Sequence, residues 1–200
     1  GQNADSIWIV NNYTKIEQLI PMRDGIKLFT SIYIPKDKSE DHPILMTRTP
    51  YSCAPYGEDN WPSVWHSYMK AYFKEGYIIA VQDVRGRFMS EGEFVDVSQF
   101  NTDKKTNKDI DEASDAYDAI DWLVKNIPHN NGKVGVFGIS YPGFFATMAA
   151  AGNHPALVAV SPQAPVTNWF IGDDFHHNGA LFILDAFGFY SAMGAGFGLP

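Results

Sequence analysis

Cysteine is nearly absent from this chain of 200 residues, whose single thiol belongs to Cys53. One cysteine cannot form an internal disulfide, and Cys53 has no neighbouring Cys or His at the spacing of a zinc site. The sequence therefore predicts neither a disulfide scaffold nor a metal centre. We expect Cys53 to be a partly buried small side chain.

Basic charge and long apolar runs are also scarce. Fifteen basic side chains stand against 23 acidic ones, and the net charge of −8 argues against nucleic acid or a membrane surface as a partner. No apolar run approaches the roughly 20 residues that span a bilayer. The polar start, GQNADS, lacks a signal peptide. We interpret this start as what remains after a targeting segment has been removed. This predicts a periplasmic or secreted protein and leaves a cytoplasmic location open.

The composition, 45% hydrophobic and 14% aromatic, is sufficient for one core. Alternating apolar and polar residues on both sides of Asp24-Gly25 predict an N-terminal hairpin. Strand and helix patterns then alternate, with strands at 43–50, 77–86, 134–139 and 157–165 and helices at 61–76, 109–128 and 144–151. This alternation predicts an α/β fold with a mostly parallel sheet and helices on both faces.

Two of these segments carry more detailed predictions. We expect the strand at 157–165 to be buried. The helix at 109–128 carries an acidic run, which we interpret as a solvated face rather than a metal site; its members are Asp111, Glu112, Asp115, Asp118 and Asp121.

The character of the chain changes at Asn168, where an aromatic-rich segment with helical spacing begins. We predict that residues 1–167 form the N-terminal part of the main domain and that 168–200 begin a helical cap. The chain stops in a Gly-rich stretch without a closing strand. We therefore expect the fold to be incomplete without downstream residues.

A serine between glycines, in the stretch VGVFGISYPG at 134–143, is the strongest local signal. An apolar strand, a tight turn at Ser140 and a helix-forming stretch follow one another. This is the pattern of the nucleophile elbow of α/β-hydrolases, where the serine hydroxyl stands clear of the sheet and the next backbone N–H stabilises an oxyanion. The alternative is a Gly/Ser turn that only packs a helix onto the sheet.

Eight short motifs occur in the order of one family: MRDGIKL, TRTPY, QDVRGR, SEGEF, DWL, GISYPG, HPAL and GDD. Together they resemble the bacterial α-amino-acid ester hydrolases, in the group that includes cocaine-esterase-like acyl hydrolases and X-prolyl dipeptidyl peptidases. The resemblance runs from about Lys15 to Gly194. It implies that Ser140 is the nucleophile, that the Tyr141 N–H and the Tyr51 phenol bind the oxyanion, and that Asp174 receives a substrate ammonium group.

Each implied role has a plainer alternative. Tyr51 could be an aromatic plug at a strand end, and Asp174 could cap a helix, a duty for which Asp173 competes. Pro142 departs from relatives of the amino-ester type, which often carry an acid there. We interpret the remaining polar groups as structural: Asp83 with Arg85 and Arg87 as an Asp–Arg pair that fixes a loop, and His176 and His177 as polar cap residues.

The resemblance implies a serine hydrolase that acts on esters or amides of α-amino acids, including β-lactam side-chain acyl groups, through an acyl-enzyme. We expect a small amino-acid ester or β-lactam as substrate, no cofactor, and a homo-oligomer. The alternatives are a general acyl esterase, an X-prolyl dipeptidyl peptidase, or a non-catalytic binding module. The orienting acid and the histidine base are expected downstream, so we predict that these 200 residues alone do not turn over substrate.

Overall fold

A mixed sheet of six strands organises the computed structural model, which describes residues 2–62, 67–168, 170–171 and 174–194. The strands of this sheet are β1 (Tyr13–Pro21), β2 (Lys27–Pro35), β3 (His42–Thr49), β4 (Ile78–Asp83), β5 (Asn130–Ile139) and β6 (Leu157–Gln163). Their order across the sheet is β1-β2-β4-β3-β5-β6. Strands β3 to β6 are parallel to one another, and β2 lies antiparallel to β4. The predicted mostly parallel sheet is confirmed.

The predicted N-terminal hairpin is also confirmed. Strands β1 and β2 pair in antiparallel register, with Tyr13 opposite Pro35 and Pro21 opposite Lys27. Gly25 takes a φ of 91° in the connecting turn, a conformation that glycine adopts without steric cost.

Helices cover both faces of the sheet. They are α1 (Gln2–Asn12), α2 (Ser67–Lys74), α3 (Glu112–Asn126), α4 (Tyr141–Gly152) and, after the sheet, α5 (Ile183–Gly194). One apolar cluster joins the sheet to α3 and α4, and a second joins its other face to α1 and α2. Helix α1 was not predicted, because its apolar run at 7–10 is too short to show a helical period; among the residues of α1 whose burial is described, Ile9 is the buried one. Part of the helix predicted at 61–76 lies at 63–66, outside the described residues.

The prediction that the last strand is buried is wrong. Strand β6 is mostly exposed, and Val158 has 63% of its surface in solvent. Among the described strands β6 pairs with β5 alone, so it is an edge of this sheet. An apolar run indicates that a strand tends to be buried. It does not indicate which strands or helices cover it.

The N-terminal part of the acidic run is not a solvated face either. Asp111, Glu112 and Asp115 are 4%, 5% and 1% exposed. Arg48 pairs with Glu112 at 2.8 Å, and Arg85 pairs with Asp115 at 2.7 Å. The first turn of α3 is therefore held down by buried ion pairs whose cations come from strand β3 and the loop after β4. Within the described ranges, no group of three or more His, Cys, Asp or Glu side chains could hold a metal ion.

The segment after Asn168 is only partly helical. A two-stranded hairpin, β7 (His176–His177) and β8 (Ala180–Leu181), precedes α5. Its turn residues Asn178 and Gly179 both have positive φ, as the favoured two-residue hairpin turn requires. The Asn-Gly pair was the available sequence signal, and the aromatic spacing around it obscured it. None of the helices in the described part of the chain is long and apolar enough to span a membrane.

Candidate functional site

Ser140 occupies a strained turn between β5 and α4. Its φ of 64° and ψ of −122° lie in a region that residues with a side chain rarely adopt. Two backbone hydrogen bonds hold the turn: the Ser140 N–H donates to the Gln163 carbonyl at 2.9 Å, and the Ser140 carbonyl accepts from Phe144 at 3.1 Å. The residue is exposed, and within the described residues its hydroxyl has no hydrogen-bond partner. The hydroxyl is thus presented to solvent on a fixed backbone.

The flanking glycines are required by close backbone approach. A Cβ on Gly138 would overlap the carbonyl of Pro142, on the far side of the turn. A Cβ on Gly143 would lie 2.6 Å from the Gln163 carbonyl oxygen on β6. The Gly-x-Ser-x-x-Gly spacing therefore follows from the tight passage from β5 into α4.

Replacing Gly143 with alanine is expected to destabilise the full-length protein by about 1–3 kcal/mol, because the added methyl must displace backbone. Gly188→Ala is the matched control, since a Cβ at that position in α5 meets no atom within 4 Å. The control should be neutral or stabilising by about 0.5–1 kcal/mol. Thermal unfolding of both variants measures the difference, and equal shifts for the two would contradict the close approach.

Tyr141 is the first residue of α4 and is 3% exposed. Its backbone N–H belongs to the first turn of the helix, where amides have no intrahelical acceptor. Its ring stacks on Phe145 at 5.0 Å, and its hydroxyl donates to Asp96 at 2.6 Å. Burial, with the neighbouring carboxylate of Asp96, raises the pKa of the Tyr141 phenol. The ring therefore anchors the residue that directly follows Ser140.

Tyr51 lies two residues beyond the end of β3, at the same edge of the sheet as Ser140. Neighbouring parallel strands end at a common edge, so the chain brings the two segments together. The Tyr51 ring meets the Tyr141 ring edge-on at 6.4 Å and is 45% exposed. Burial raises the pKa of the Tyr51 phenol; the Arg87 charge opposes this shift and the Asp96 charge adds to it.

The loop that carries Tyr51 is fixed by buried polar groups. Asp83, fully buried at the end of β4, accepts hydrogen bonds from the Cys53 N–H at 2.8 Å and the Tyr56 hydroxyl at 2.9 Å. Burial raises the pKa of the Asp83 carboxyl. On the N-terminal side of Tyr51, Arg87 donates to the Pro50 carbonyl at 2.9 Å. Asp83 and Arg87 therefore fix the backbone of this loop on both sides of Tyr51.

The expected Asp–Arg pair is wrong in its partners. Arg85 binds Asp24 and Asp115, each at 2.7 Å, rather than Asp83. A further anchor was missed by the sequence analysis: the buried ammonium of Lys15 donates to the carbonyls of Pro55, Gly57 and Asn60 at 2.7–2.9 Å. Lys15 stands on the strand face opposite Ile16 and Ile20, so the alternation carried no signal of its burial.

A cleft of about 350 Å³ lies beside the serine turn. Its walls are mainly apolar and come from the ends of β3 and β5 and the loops that follow them; they include Thr49, Tyr51, Cys53, Phe137, Ile139 and Pro142. Burial raises the pKa of the Cys53 thiol to about 12, so this part of the wall is uncharged near neutral pH. The cleft offers an apolar surface next to Ser140.

Asp174 is exposed and precedes β7. Helix α5 begins only at Ile183, so Asp174 does not cap it, and Asp173 lies outside the described residues. In the described part of the chain the Asp174 carboxylate has neither a hydrogen bond nor an ion pair, and no contact joins it to Ser140. His176 and His177 form β7, and neither hydrogen-bonds to Ser140 within the same residues.

Comparison with known proteins identifies the family to which the chain is similar. Residues 24–197 match the X-Pro dipeptidyl-peptidase family (S15 family). Cocaine esterase from Rhodococcus sp. (strain MB1 Bresler) is 29% identical over 178 residues, which are 89% of this chain and 28% of that protein.

Two solved structures are similar to the chain. An aminopeptidase from a marine sediment archaeon (Thaumarchaeota archaeon) shares 39% identity with a TM-score of 0.81, over 91% of this chain and 30% of its own. An α-amino acid ester hydrolase shares 42% identity with a TM-score of 0.75, over 85% and 28%. The chain therefore spans at most 30% of the length of these relatives. Because the family model matches most of its residues and the two solved structures share its fold, the chain belongs to the X-Pro dipeptidyl-peptidase (S15) family of α/β-hydrolases.

Proposed function

We propose that the full-length protein is a serine hydrolase that uses Ser140 as its nucleophile and acts on esters or amides of α-amino acids, including β-lactam side-chain acyl groups. The observation that carries the proposal is the exposed Ser140 on a positive-φ turn between two glycines that can carry no side chain. In a hydrolase this arrangement serves as the nucleophile elbow, because it fixes the hydroxyl above the edge of the sheet.

The proposed reaction proceeds through an acyl-enzyme. The Ser140 oxygen attacks the substrate carbonyl carbon, and the resulting oxyanion accepts hydrogen bonds from the Tyr51 phenol and the Tyr141 backbone N–H. Collapse of the tetrahedral intermediate expels the alcohol or amine, which takes up the serine proton from a histidine base. Water then hydrolyses the acyl ester and restores the Ser140 hydroxyl. We propose that this base and its orienting acid belong to the part of the relatives' length that this chain does not span.

An exposed carboxylate supports the amino-acid part of the proposal. Asp174 has no partner among the described residues and lies in the segment that precedes α5. A substrate ammonium would supply that partner through a charge-assisted hydrogen bond. The two similar structures are an aminopeptidase and an α-amino acid ester hydrolase, and both names refer to substrates with an α-amino group. We therefore assign Asp174 to the ammonium.

Turnover of phenylglycine methyl ester and of methyl phenylacetate, which lacks only the amino group, tests the proposal on the full-length protein. A charge-assisted hydrogen bond corresponds to a preference of about 10- to 100-fold in kcat/KM for the amino ester. Asp174→Asn should abolish most of this preference, whereas Asp185→Asn, an exposed acid in the first turn of α5, should retain it.

The outcomes separate the parts of the proposal. Equal turnover of the two esters would contradict the assignment of Asp174 to the ammonium. Turnover of neither ester, nor of a peptide with a free N-terminus, would contradict the hydrolase itself and would favour a non-catalytic binding module.

A further inference from the structure

The Asp96 carboxylate connects helix α4, which begins directly after Ser140, to helix α5. Asp96 accepts a hydrogen bond from the Tyr141 hydroxyl on one oxygen and from the Tyr190 hydroxyl on the other, each at 2.6 Å. Tyr141 opens α4, and Tyr190 lies in α5. Hydrogen bonds to an ionised acceptor are short and strong, so Asp96 fixes the two phenols relative to each other.

The backbone next to Asp96 has a strained conformation, which directs a hydrogen-bond donor to the Tyr141 phenol. Val97 has a φ of 45°, which is unfavourable for a β-branched residue. In this conformation its N–H donates to the Tyr141 hydroxyl at 2.9 Å. The Tyr141 phenol thus donates to one residue of the loop and accepts from the next. Strain of this kind persists where the surrounding contacts over-determine the conformation, and it clusters at functional sites.

Apolar contacts bring α5 to this carboxylate. Met193 is 5% exposed and belongs to the same apolar cluster as Tyr141, Phe144 and Phe145, and Phe189 packs against that cluster. Met193 and Phe189 thus dock α5 on the cluster that holds the Tyr141 ring, and the Asp96–Tyr190 hydrogen bond adds a polar contact. Displacement of α5 would therefore remove one of the two phenols from Asp96.

We propose that Asp96 is a positioning residue, which couples docking of α5 to the placement of the Tyr141 backbone N–H in the oxyanion site. The inference rests on the proposed function, since it assigns the Tyr141 N–H to the oxyanion. The chain of contacts is direct: Tyr190 holds Asp96, Asp96 holds the Tyr141 ring, and the Tyr141 amide is the peptide bond that follows Ser140. In the docked arrangement this chain of contacts holds the Tyr141 amide in place.

The test measures kcat and KM of the full-length protein for phenylglycine methyl ester and methyl phenylacetate. We expect Asp96→Asn and Tyr190→Phe to lower kcat for both esters by about 10- to 100-fold, because misplacement by about an ångström has effects of that size. KM should change little. Tyr190→Phe keeps the ring and removes only the hydroxyl, so folding of this variant is expected to be intact. Asp103→Asn, a 76% exposed side chain in the same loop, is the control and should match the parent.

Two results would overturn the inference. If Asp96 instead bound the substrate ammonium, the loss would fall on KM and only for the amino ester. If the contacts only stabilised the fold, Tyr190→Phe would lower the melting temperature and leave kcat unchanged. Full activity of Ser140→Ala would overturn the proposed function itself, and is therefore distinct from both of these outcomes.

Discussion

Replacing Ser140 with alanine is expected to lower kcat for ester hydrolysis by about 10⁴-fold or more, because loss of a serine nucleophile removes the acyl-enzyme route entirely. The structure leads to this expectation through the turn geometry, since nothing in the fold requires a serine at a position with a φ of 64°. Glycine would adopt that conformation more readily. A side chain retained at a strained and exposed backbone position indicates a chemical use of its hydroxyl.

The measurement is steady-state kinetics on the full-length protein, with circular dichroism to verify that the variant is folded. Ser39→Ala, an exposed serine in the turn after β2, is the control and should retain full kcat. A Ser140→Ala variant within about tenfold of the parent would show that the hydroxyl is not the nucleophile, since loss of a nucleophile has far larger effects.

Replacing Arg48 with methionine is expected to destabilise the fold by about 3–5 kcal/mol, because it leaves a buried carboxylate unpaired. Arg48 is 1% exposed and donates to the Glu112 carboxylate at 2.8 Å and to the Gln82 side chain at 2.8 Å. Its guanidinium also lies over the Phe145 ring at 5.7 Å. It therefore links β3, β4, α3 and α4.

The matched control is Arg23→Met. Arg23 pairs with Asp118 at the same distance, 2.8 Å, but near the surface, where such a pair contributes about 0–1 kcal/mol. Thermal or denaturant unfolding of both variants measures the contrast. Equal destabilisation would contradict the view that burial, rather than the ion pair itself, sets the size of the effect.

The Arg48→Met effect is expected to depend on pH. Burial raises the pKa of the Glu112 carboxyl even beside Arg48, and removal of the arginine should raise it further. A raised native pKa means that the native state binds the proton more readily than the unfolded state, so stability is gained as pH falls and lost as pH rises. The difference between variant and parent should therefore shrink from pH 8 toward the ordinary carboxyl range. A constant difference would contradict the assignment of the effect to Glu112.

Local sequence patterns predicted the elements that position the site. The Asp-Gly hairpin, the alternation of strands and helices and the Gly-x-Ser-x-x-Gly turn are each encoded within a few neighbouring residues, and the structure has all three. The strand β5, the turn at Ser140 and the start of α4 follow from the steric demands of that turn. The catalytic roles of Ser140, Tyr51, Tyr141 and Asp174 stay predictions, which the kinetic and labelling experiments test.

The features that were missed depend on partners far away in the sequence. Glu112 and Asp115 read as solvated acids because their cations, on β3 and in the loop after β4, are at least 30 residues distant. Asp96 and Tyr190 are 94 residues apart, so no local pattern could join them. The hairpin β7–β8 was missed for a different reason, since its Asn-Gly signal was present but lay among aromatic residues with helical spacing.

Covalent capture of the nucleophile tests the central claim most directly. A fluorophosphonate forms a bond between its phosphorus and a serine oxygen activated by its surroundings, and fluoride leaves. Incubation of the folded full-length protein followed by peptide mass mapping should place one phosphonyl group on Ser140, and heat-unfolded protein should remain unlabelled. Absence of label from folded protein, or its appearance on a different serine, would contradict the proposal that this turn presents the nucleophile.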